Sequence, residues 1–319
     1  MTSLENAQST IESAIKRMEI NLQPAGLYDP VKYFMNMGGK RIRPALSLMA
    51  ASIFTKDLKN CVSPALAIEV FHNFTLVHDD VMDEAHLRRG KETVHTKWDL
   101  NTAILSGDLM MIKAYQLLSE APKEALGPVL VLFNKTAEEV CQGQQMDMDF
   151  EQMEQVSIED YIEMIRLKTS VLLGCSLEIG ALCAGSAPKE AEALYTFGEQ
   201  LGIAFQIKDD LLDAFPENQS FGKTAGGDIQ RKKKTYLYIK ALELTDTPEE
   251  LVKTYNSCEA DKVEKVLQMF EACSIKEHAQ KTMDEYFERA MKSLDSLDNS
   301  GLDISGLSQL GNIIMNRSH

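Results

Sequence analysis

The sequence has 319 residues and lacks closely spaced cysteine pairs, since its six cysteines lie far apart with no CxxC pattern. This absence argues against a zinc site or a disulfide framework and agrees with a reducing compartment. An excess of basic residues is also missing, because 33 Lys and Arg stand against 48 Asp and Glu and give a net charge of −15. We therefore expect no binding of nucleic acid or of an anionic membrane surface.

Long apolar runs are missing as well. The first twenty residues are polar and acidic where a signal peptide needs an apolar core. The most apolar later stretch, residues 171–187, is interrupted by Glu178 and is too short to span a bilayer. The sequence therefore predicts a soluble cytoplasmic protein without a membrane span.

Glycine and proline are sparse, with 18 and 9 residues, and the alternation that marks strands is scarce. Long windows instead repeat apolar residues at helical spacing, as from Ala65 to Leu76 and from Leu105 to Leu118. Helix breakers fall between such windows, for example at 38–44 and 216–227. Because no flexible linker or fixed-period repeat is visible, we predict one all-helical domain over residues 1–319.

Two acidic clusters share the pattern DDxxD. The first consists of Asp79, Asp80 and Asp83, and the second of Asp209, Asp210 and Asp213. Residues four apart share a helix face, so the outer carboxylates of each cluster repel unless a cation neutralises them. Mg²⁺ prefers oxygen ligands and bridges one or two carboxylates to substrate phosphates. A solvated acidic face is the alternative for either cluster, but the repetition among apolar residues favours metal binding.

Basic clusters accompany the acidic ones. The GGKRIRP turn, residues 38–44, carries three cations, and Arg88, Arg89 and Lys91 follow the first acidic cluster. A third run spans residues 231–234, where four consecutive cations cannot all face one ligand. Each cluster alone could be a solubilising patch. Carboxylates for a metal together with Arg and Lys for phosphate indicate a site for a diphosphate–Mg²⁺ complex.

These segments together resemble one family. The motifs GGKRIRP, HNFTLVHDDVMD followed by LRRG, KTSVLL, and FQIKDDLLD followed by GK are similar to those of the trans-isoprenyl diphosphate synthases. That family includes farnesyl and geranylgeranyl diphosphate synthases. The resemblance implies an antiparallel helical bundle around a deep central cavity, usually as a homodimer. It also implies that the chain joins isopentenyl diphosphate to an allylic diphosphate such as dimethylallyl, geranyl or farnesyl diphosphate.

The resemblance also implies roles for individual residues. All six aspartates would bind Mg²⁺, three ions in total, with Asp209 as a direct ligand. The allylic diphosphate would be held by Arg88, Lys168, Lys223 and Lys233. Isopentenyl diphosphate would be held by Lys40, Arg43, His72 and Arg89. Oxygens of Thr169 and Gln206 would stabilise the allylic cation. Lys232 stands where the family usually has glycine, so the choice among Lys232, Lys233 and Lys234 remains open.

Product length is expected to depend on the helix before the first acidic cluster. In the resembled family, side chains one and two turns upstream form the floor of the cavity, and here these are Phe71, Phe74 and Thr75. We expect C15 to C20 products, with C20 favoured, because Thr75 is small and the two phenylalanines are large. That both phenylalanines belong only to the core remains the alternative.

Two other functions compete with chain elongation. A class I terpene cyclase shares the first DDxxD, but it carries a different second metal motif and needs no second phosphate site. A silent subunit of a heteromeric prenyl synthase usually loses one aspartate motif, whereas both are present here.

Overall fold

The computed structural model describes residues 2–216, 226–298 and 301–316. These ranges contain sixteen α-helices, one π-helical turn and one two-stranded hairpin. The all-helical fold class is therefore confirmed, and neither the short hairpin nor the π-helical turn was predicted from the sequence. No helix within these ranges is long and apolar enough to cross a membrane.

The elements follow one another as separate helices divided by the predicted breakers. The bounds are α1 Leu4–Arg17, α2 Ala25–Met35, α3 Ile42–Phe54, α4 Lys59–Met82, β1 Leu87–Arg88, β2 Lys91–Glu92, α5 Val94–Lys97, α6 Leu100–Leu118 and α7 Lys123–Gln152. They continue with α8 Ile158–Ile165, the π turn Arg166–Ser170, α9 Val171–Cys183, α10 Pro188–Ala214, α11 Gly227–Gln230, α12 Tyr236–Leu244, α13 Pro248–Asn256, α14 Lys262–Ala272, α15 Ile275–Asp298 and α16 Ser305–Asn316.

The described residues fall into two compact units. Unit 1 comprises Met1–Asn134, Cys175–Leu194 and Ser300–Leu307. Unit 2 comprises Lys135–Gly174, Tyr195–Asn299 and Ser308–His319. The single domain over residues 1–319 stays a prediction.

Unit 1 is organised around α4. This helix packs against α6 and α3, and α1 packs on α3. Ile68, Val70 and Phe71 are fully buried although they point in different directions around α4, so the helix is covered on more than one side. Each such side chain contributes about 1.5–3 kcal/mol through burial. The end of α4, which carries the first aspartate motif, is therefore held by a rigid core.

Unit 2 surrounds the C-terminal part of α10. Phe197 and Ile207 on this helix are fully buried, and α12 packs against α8 and α15. The start of α8 is fixed by Ser157, whose hydroxyl oxygen accepts a hydrogen bond from the backbone nitrogen of Asp160 at 3.0 Å. The second aspartate motif thus lies on a helix that is anchored by its own apolar side chains.

Candidate functional site

Both aspartate motifs lie in the last turns of their helices. Helix α4 ends at Met82, so Asp83 is its C-cap residue, and α10 ends at Ala214 just after Asp213. Neither last turn contains a basic residue. A helix C-terminus carries a partial negative charge, so carboxylates there are unfavourable until a cation is bound. This placement agrees with the predicted metal-binding role.

The middle aspartate of the first motif is buried. Asp80 is 1% exposed, and its Oδ1 accepts a hydrogen bond from Nε of Arg88 at 2.7 Å. Among the described residues, none forms a hydrogen bond with its other carboxylate oxygen. Burial raises the pKa of Asp80, and the charge of Arg88 opposes this rise. Asp83 is exposed and Asp79 is half-buried, so the outer carboxylates are the accessible ones.

The β1–β2 hairpin brings Arg89 to the GGKRIRP turn. The guanidinium NH1 of Arg89 donates to the carbonyl of Gly38 and lies against Gly39. A Cβ atom at Gly39 would come within 2.8 Å of this nitrogen, and its φ of 147° also favours glycine. Lys40 is exposed beside them. Three of the predicted isopentenyl diphosphate residues, Lys40, Arg43 and Arg89, are therefore on or beside this turn.

His72, the fourth residue predicted to bind isopentenyl diphosphate, lies on α4 beside these residues. NH1 of Arg43 lies 3.1 Å from Nε2 of His72. Because guanidinium only donates, Nε2 accepts and the hydrogen of the imidazole is on Nδ1. Burial and then the charges of Arg43 and Arg89 lower the pKa of His72 well below its usual value. His72 is thus neutral at pH 7. The cations of this basic cluster, Lys40, Arg43 and Arg89, carry more positive charge than one neighbouring carboxylate can neutralise.

In the second motif the middle aspartate is also buried. Asp210 is 5% exposed, and its Oδ2 accepts a hydrogen bond from the hydroxyl of Tyr161 at 2.5 Å. The backbone nitrogen of Tyr236 lies 3.4 Å from the same oxygen, and the side chain of Gln206 also donates to this carboxyl. Burial raises the pKa of Asp210 to about 7. Asp209, the expected direct ligand, is exposed.

Asp213 connects the second motif to α11. Its Oδ2 accepts a hydrogen bond from the backbone nitrogen of Asp228 at 2.9 Å. Burial and the charge of Asp213 raise the pKa of Asp228, while the nearby charge of Lys233 opposes this effect. The backbone nitrogen of Lys233 also donates to the carbonyl of Asp228 at 2.9 Å, so Lys233 lies beside Asp228.

The three consecutive lysines have different surroundings. Lys232 has a φ of 61°, a left-handed conformation that glycine adopts readily, which explains glycine at this position in the resembled family. Nζ of Lys234 donates to the carbonyl of Phe150 at 2.7 Å, near the end of α7. Lys233 lies beside Asp228, whereas the amine of Lys234 is bound to α7. This geometry favours Lys233 over Lys234 as the phosphate ligand.

Lys168 lies within the π turn. Its Nζ contacts Oδ2 of Asp147 at 2.5 Å. A Cβ atom at Gly143 would collide with the backbone nitrogen of Lys168, so glycine is required for this close approach. Thr169 follows in the same turn and is half-buried. Lys223 lies outside the described residues, and its role stays a prediction.

The proposed floor residues form part of an aromatic cluster in unit 1. Phe71 is fully buried, with its ring centroid 5.6 Å from that of Phe74 and 5.0 Å from that of Phe133. Phe74 is half-buried. Thr75 donates its hydroxyl hydrogen to the carbonyl of His72 at 2.8 Å. Phe74 is thus the more accessible of the two phenylalanines on α4.

Sequence reasoning missed three residues in these surroundings, namely Asp147, Tyr161 and Asp228. Asp147 lies 21 residues and Tyr161 lies 49 residues from the side chains that they bind. No local spacing signals such pairs. Asp228 follows the glycines at 226 and 227, and an acidic residue after such a turn was the one available signal.

The aspartates fit Mg²⁺ without a preformed cage. In the part of the chain that the structure describes, no three His, Cys, Asp or Glu side chains converge on one point. Mg²⁺ does not require such convergence, because one or two carboxylates suffice when water and substrate phosphates complete its shell. The accessible outer carboxylates and the unpaired buried oxygen of Asp80 meet this requirement.

Comparisons with known proteins identify the family of this chain. The family model described as polyprenyl synthetase matches residues 24–273. The geranylgeranyl pyrophosphate synthase of Geoglobus acetivorans is 38% identical over 97% of this chain and 95% of its own. A crystal structure of a geranylgeranyl pyrophosphate synthase is 44% identical, with a TM-score of 0.92 over 99% of both chains.

A further solved relative carries ligands. The geranylgeranyl pyrophosphate synthase of Corynebacterium glutamicum, complexed with calcium and isoprenyl diphosphate, is 29% identical, with a TM-score of 0.84 over 99% of this chain and 96% of its own. The expected reaction class, short-chain trans-prenyl transfer, is confirmed, and neither the cyclase nor the silent subunit is favoured. The chain belongs to the polyprenyl synthetase family.

Proposed function

We propose that this chain condenses isopentenyl diphosphate with an allylic diphosphate to make an all-trans product, C20 in length. The basic cluster beside α4 carries this proposal. Arg43 and Arg89 surround a neutral His72, which lies two helical turns before Asp79 on the same helix. Helix α4 thus contributes to a site for an anion and to a carboxylate site for a metal. A substrate diphosphate requires the first site, and the cation that accompanies it requires the second.

The allylic diphosphate is assigned to the residues near the aspartates. Arg88, Lys168 and Lys233 bind its oxygens and neutralise the charge that develops as the C–O bond breaks. Each now contacts or lies beside an aspartate, so their side chains can exchange that partner for phosphate. Mg²⁺, three ions in number, supplies further neutralisation of the leaving group when bound.

Isopentenyl diphosphate is assigned to Lys40, Arg43, His72 and Arg89. These residues hold the second substrate so that its double bond attacks the allylic cation and forms the new carbon–carbon bond. Oxygens of Thr169 and Gln206 stabilise the cation until attack. The cation formed by this attack loses a proton to the departing diphosphate and gains its new double bond, so no protein base is needed. Exclusion of water prevents the cation from being quenched.

The test is an assay of purified protein with Mg²⁺, isopentenyl diphosphate and, separately, dimethylallyl, geranyl and farnesyl diphosphate. We expect a prenyl diphosphate that is longer by whole C5 units than each starter, with C20 as the largest main product. Cyclic hydrocarbons made without isopentenyl diphosphate would instead indicate a cyclase. No turnover of any starter in Mg²⁺ or Mn²⁺ would contradict the proposal.

The proposed C20 length rests on the names of the relatives and on Phe74. This half-buried residue precedes Asp79 by five positions, whereas Phe71 is fully buried behind it. One helical turn rises about 5.4 Å, close to one extended C5 unit. We expect Phe74→Ala to lengthen the product, Phe71→Ala alone to leave it unchanged, and the double variant to lengthen it most. Unchanged products from the double variant would show that both phenylalanines are only core.

A homodimer is proposed from the surface of unit 1. Leu105 and Ile112 lie seven residues apart on one face of α6 and are 57% and 54% exposed, and Val131 on α7 is 72% exposed. Apolar residues on one exposed helix face are typical of an association surface. Light scattering with Ile112→Glu tests this, since a dimeric wild type and a monomeric variant are expected. A monomeric wild type would contradict the proposal. A cytosolic location stays a prediction of the composition.

A further inference from the structure

Arg41 is the cation of the GGKRIRP turn that is buried, whereas Arg43 is half-buried and Lys40 is exposed. Its side chain is only 2% exposed, and its φ of 48° places its backbone in the left-handed region. This conformation costs a non-glycine residue about 1–2 kcal/mol. Contacts of the Arg41 side chain must therefore compensate for this unfavourable backbone conformation.

Three hydrogen bonds provide this stabilisation. Nε of Arg41 donates to Oε1 of Glu12 on α1 at 2.9 Å. NH1 donates to Oε1 of Glu69 on α4 at 2.6 Å, and NH2 donates to the carbonyl of Met35 at the end of α2 at 2.6 Å. Because the guanidinium group is a rigid planar fork, three bonds to three helices fix its position and its orientation.

Glu69 is the buried partner of this fork. Its side chain is 4% exposed, and Oε1 also accepts a hydrogen bond from Nδ2 of Asn73 at 3.0 Å. Burial acts to lower the pKa of Arg41, and the charges and hydrogen bonds of Glu69 and Glu12 reverse this effect. The Glu12 side chain is 42% exposed. The two acidic partners therefore differ in burial while they bind the same guanidinium.

The consequence for the turn follows from chain connectivity. Lys40 is bonded directly to Arg41, and Arg43 is two residues beyond it, so a fixed Arg41 backbone sets where both side chains start. We propose that Arg41, held by Glu69, is a positioning residue that shapes the turn for the diphosphate of isopentenyl diphosphate. This inference rests on the proposed role of Lys40 and Arg43. Arg41 itself touches no substrate and acts through its neighbours.

The central test is Arg41→Lys, which keeps the positive charge but replaces the fork by a single point charge. We expect the KM for isopentenyl diphosphate to rise about tenfold or more, which corresponds to the loss of one charged hydrogen bond. The KM for the allylic substrate and the product length should stay within about twofold, because those contacts lie elsewhere. Glu12→Gln is the matched control, and its exposed ion pair should change neither KM by more than about twofold.

A purely structural role makes a different prediction. If Arg41→Lys raises both KM values equally, or leaves the KM for isopentenyl diphosphate unchanged, the positioning role is wrong. Circular dichroism melting establishes whether the variant is folded. If it is not, Glu69→Asp replaces it, since the carboxylate shortened by one methylene moves away from NH1 and the same selective rise is expected. If both variants are unfolded, Arg41 has only a structural role and the proposal fails.

Lys40→Ala, measured in parallel, separates this inference from the proposed function. A rise in the KM for isopentenyl diphosphate in Lys40→Ala but not in Arg41→Lys would overturn the positioning role alone. No rise in Lys40→Ala would instead remove the substrate site on which the inference rests.

Discussion

In the first aspartate motif, the buried middle carboxylate, Asp80, is held by the cation Arg88. In the second motif, the buried middle carboxylate, Asp210, is held by the neutral hydroxyl of Tyr161. Both motifs have the same spacing, and both end their helices. The comparison shows that DDxxD defines which carboxylates are accessible but not how the buried one is stabilised. The buried middle aspartates thus have a structural role in addition to the metal-binding role expected of all six.

The largest expected effect comes from removing an outer aspartate. Asp79→Ala and Asp209→Ala should each lower kcat by about a thousandfold, because the charge of the leaving diphosphate is no longer neutralised. The melting temperature without metal should not fall, since a carboxylate at a helix C-terminus is unfavourable there. Steady-state kinetics and thermal melting in EDTA provide the measurement. A variant with near-wild-type kcat in Mg²⁺ would contradict the metal assignment.

Removal of a middle aspartate should instead reduce stability in addition to activity. Asp210→Ala leaves the buried hydroxyl of Tyr161 without its acceptor, which costs about 1–3 kcal/mol in the free energy of unfolding. Asp80→Ala should cost less, because Arg88 is partly exposed and can turn to water. Urea unfolding of the two variants compares these values. Equal decreases in the free energy of unfolding would show that it makes no difference to stability whether Tyr161 or Arg88 binds the buried aspartate.

The pH dependence of stability tests the same difference. The pKa of Asp210 is about 7 in the folded protein, whereas an unfolded aspartate has a pKa of about 3.9. The folded state therefore binds the additional proton, and the free energy of unfolding falls as the pH rises from about 4 to about 7. Asp210→Asn keeps the acceptor for Tyr161 and should remove this part of the fall. Urea unfolding of metal-free protein across this range measures it. An identical pH profile for wild type and variant would contradict the prediction.

The smallest effect is expected from Tyr161→Phe. This change deletes one hydroxyl and should lower the free energy of unfolding by about 1 kcal/mol, since Asp210 keeps the contacts from Gln206 and from the backbone of Tyr236. kcat should fall less than tenfold. Tyr115→Phe is a suitable control, because its hydroxyl bonds Asn134 at 2.6 Å and is remote in sequence from both motifs. A loss in Tyr161→Phe as large as that of Asp209→Ala would remove the distinction between anchor and ligand.

The sequence predicted what depends on local spacing. Helical periodicity, breakers and the two DDxxD patterns predicted the helical class and placed both motifs on helices. Contacts between distant residues were not predictable, and they decide the chemistry. Arg41 was counted among the three cations of the turn and received no role of its own, because its partners Glu12 and Glu69 lie 29 and 28 residues away. The tyrosine that holds Asp210 is 49 residues away. The family resemblance assigned ligand-binding residues but gave no information on the residues that hold them in place, such as Glu69 and Tyr161.

The π turn at Arg166–Ser170 has a consequence for how this chain aligns with others. A π turn closes its hydrogen bonds one residue later than an α turn, so it contains one additional residue. Each residue of a helix turns it by about 100°, so deletion of one residue here would rotate α9 relative to α8 by that amount. Lys168 would then no longer point to Asp147. A relative with a regular α-helix here should show a one-residue gap between 165 and 171, and an alignment without that gap would pair the wrong side chain with Lys168.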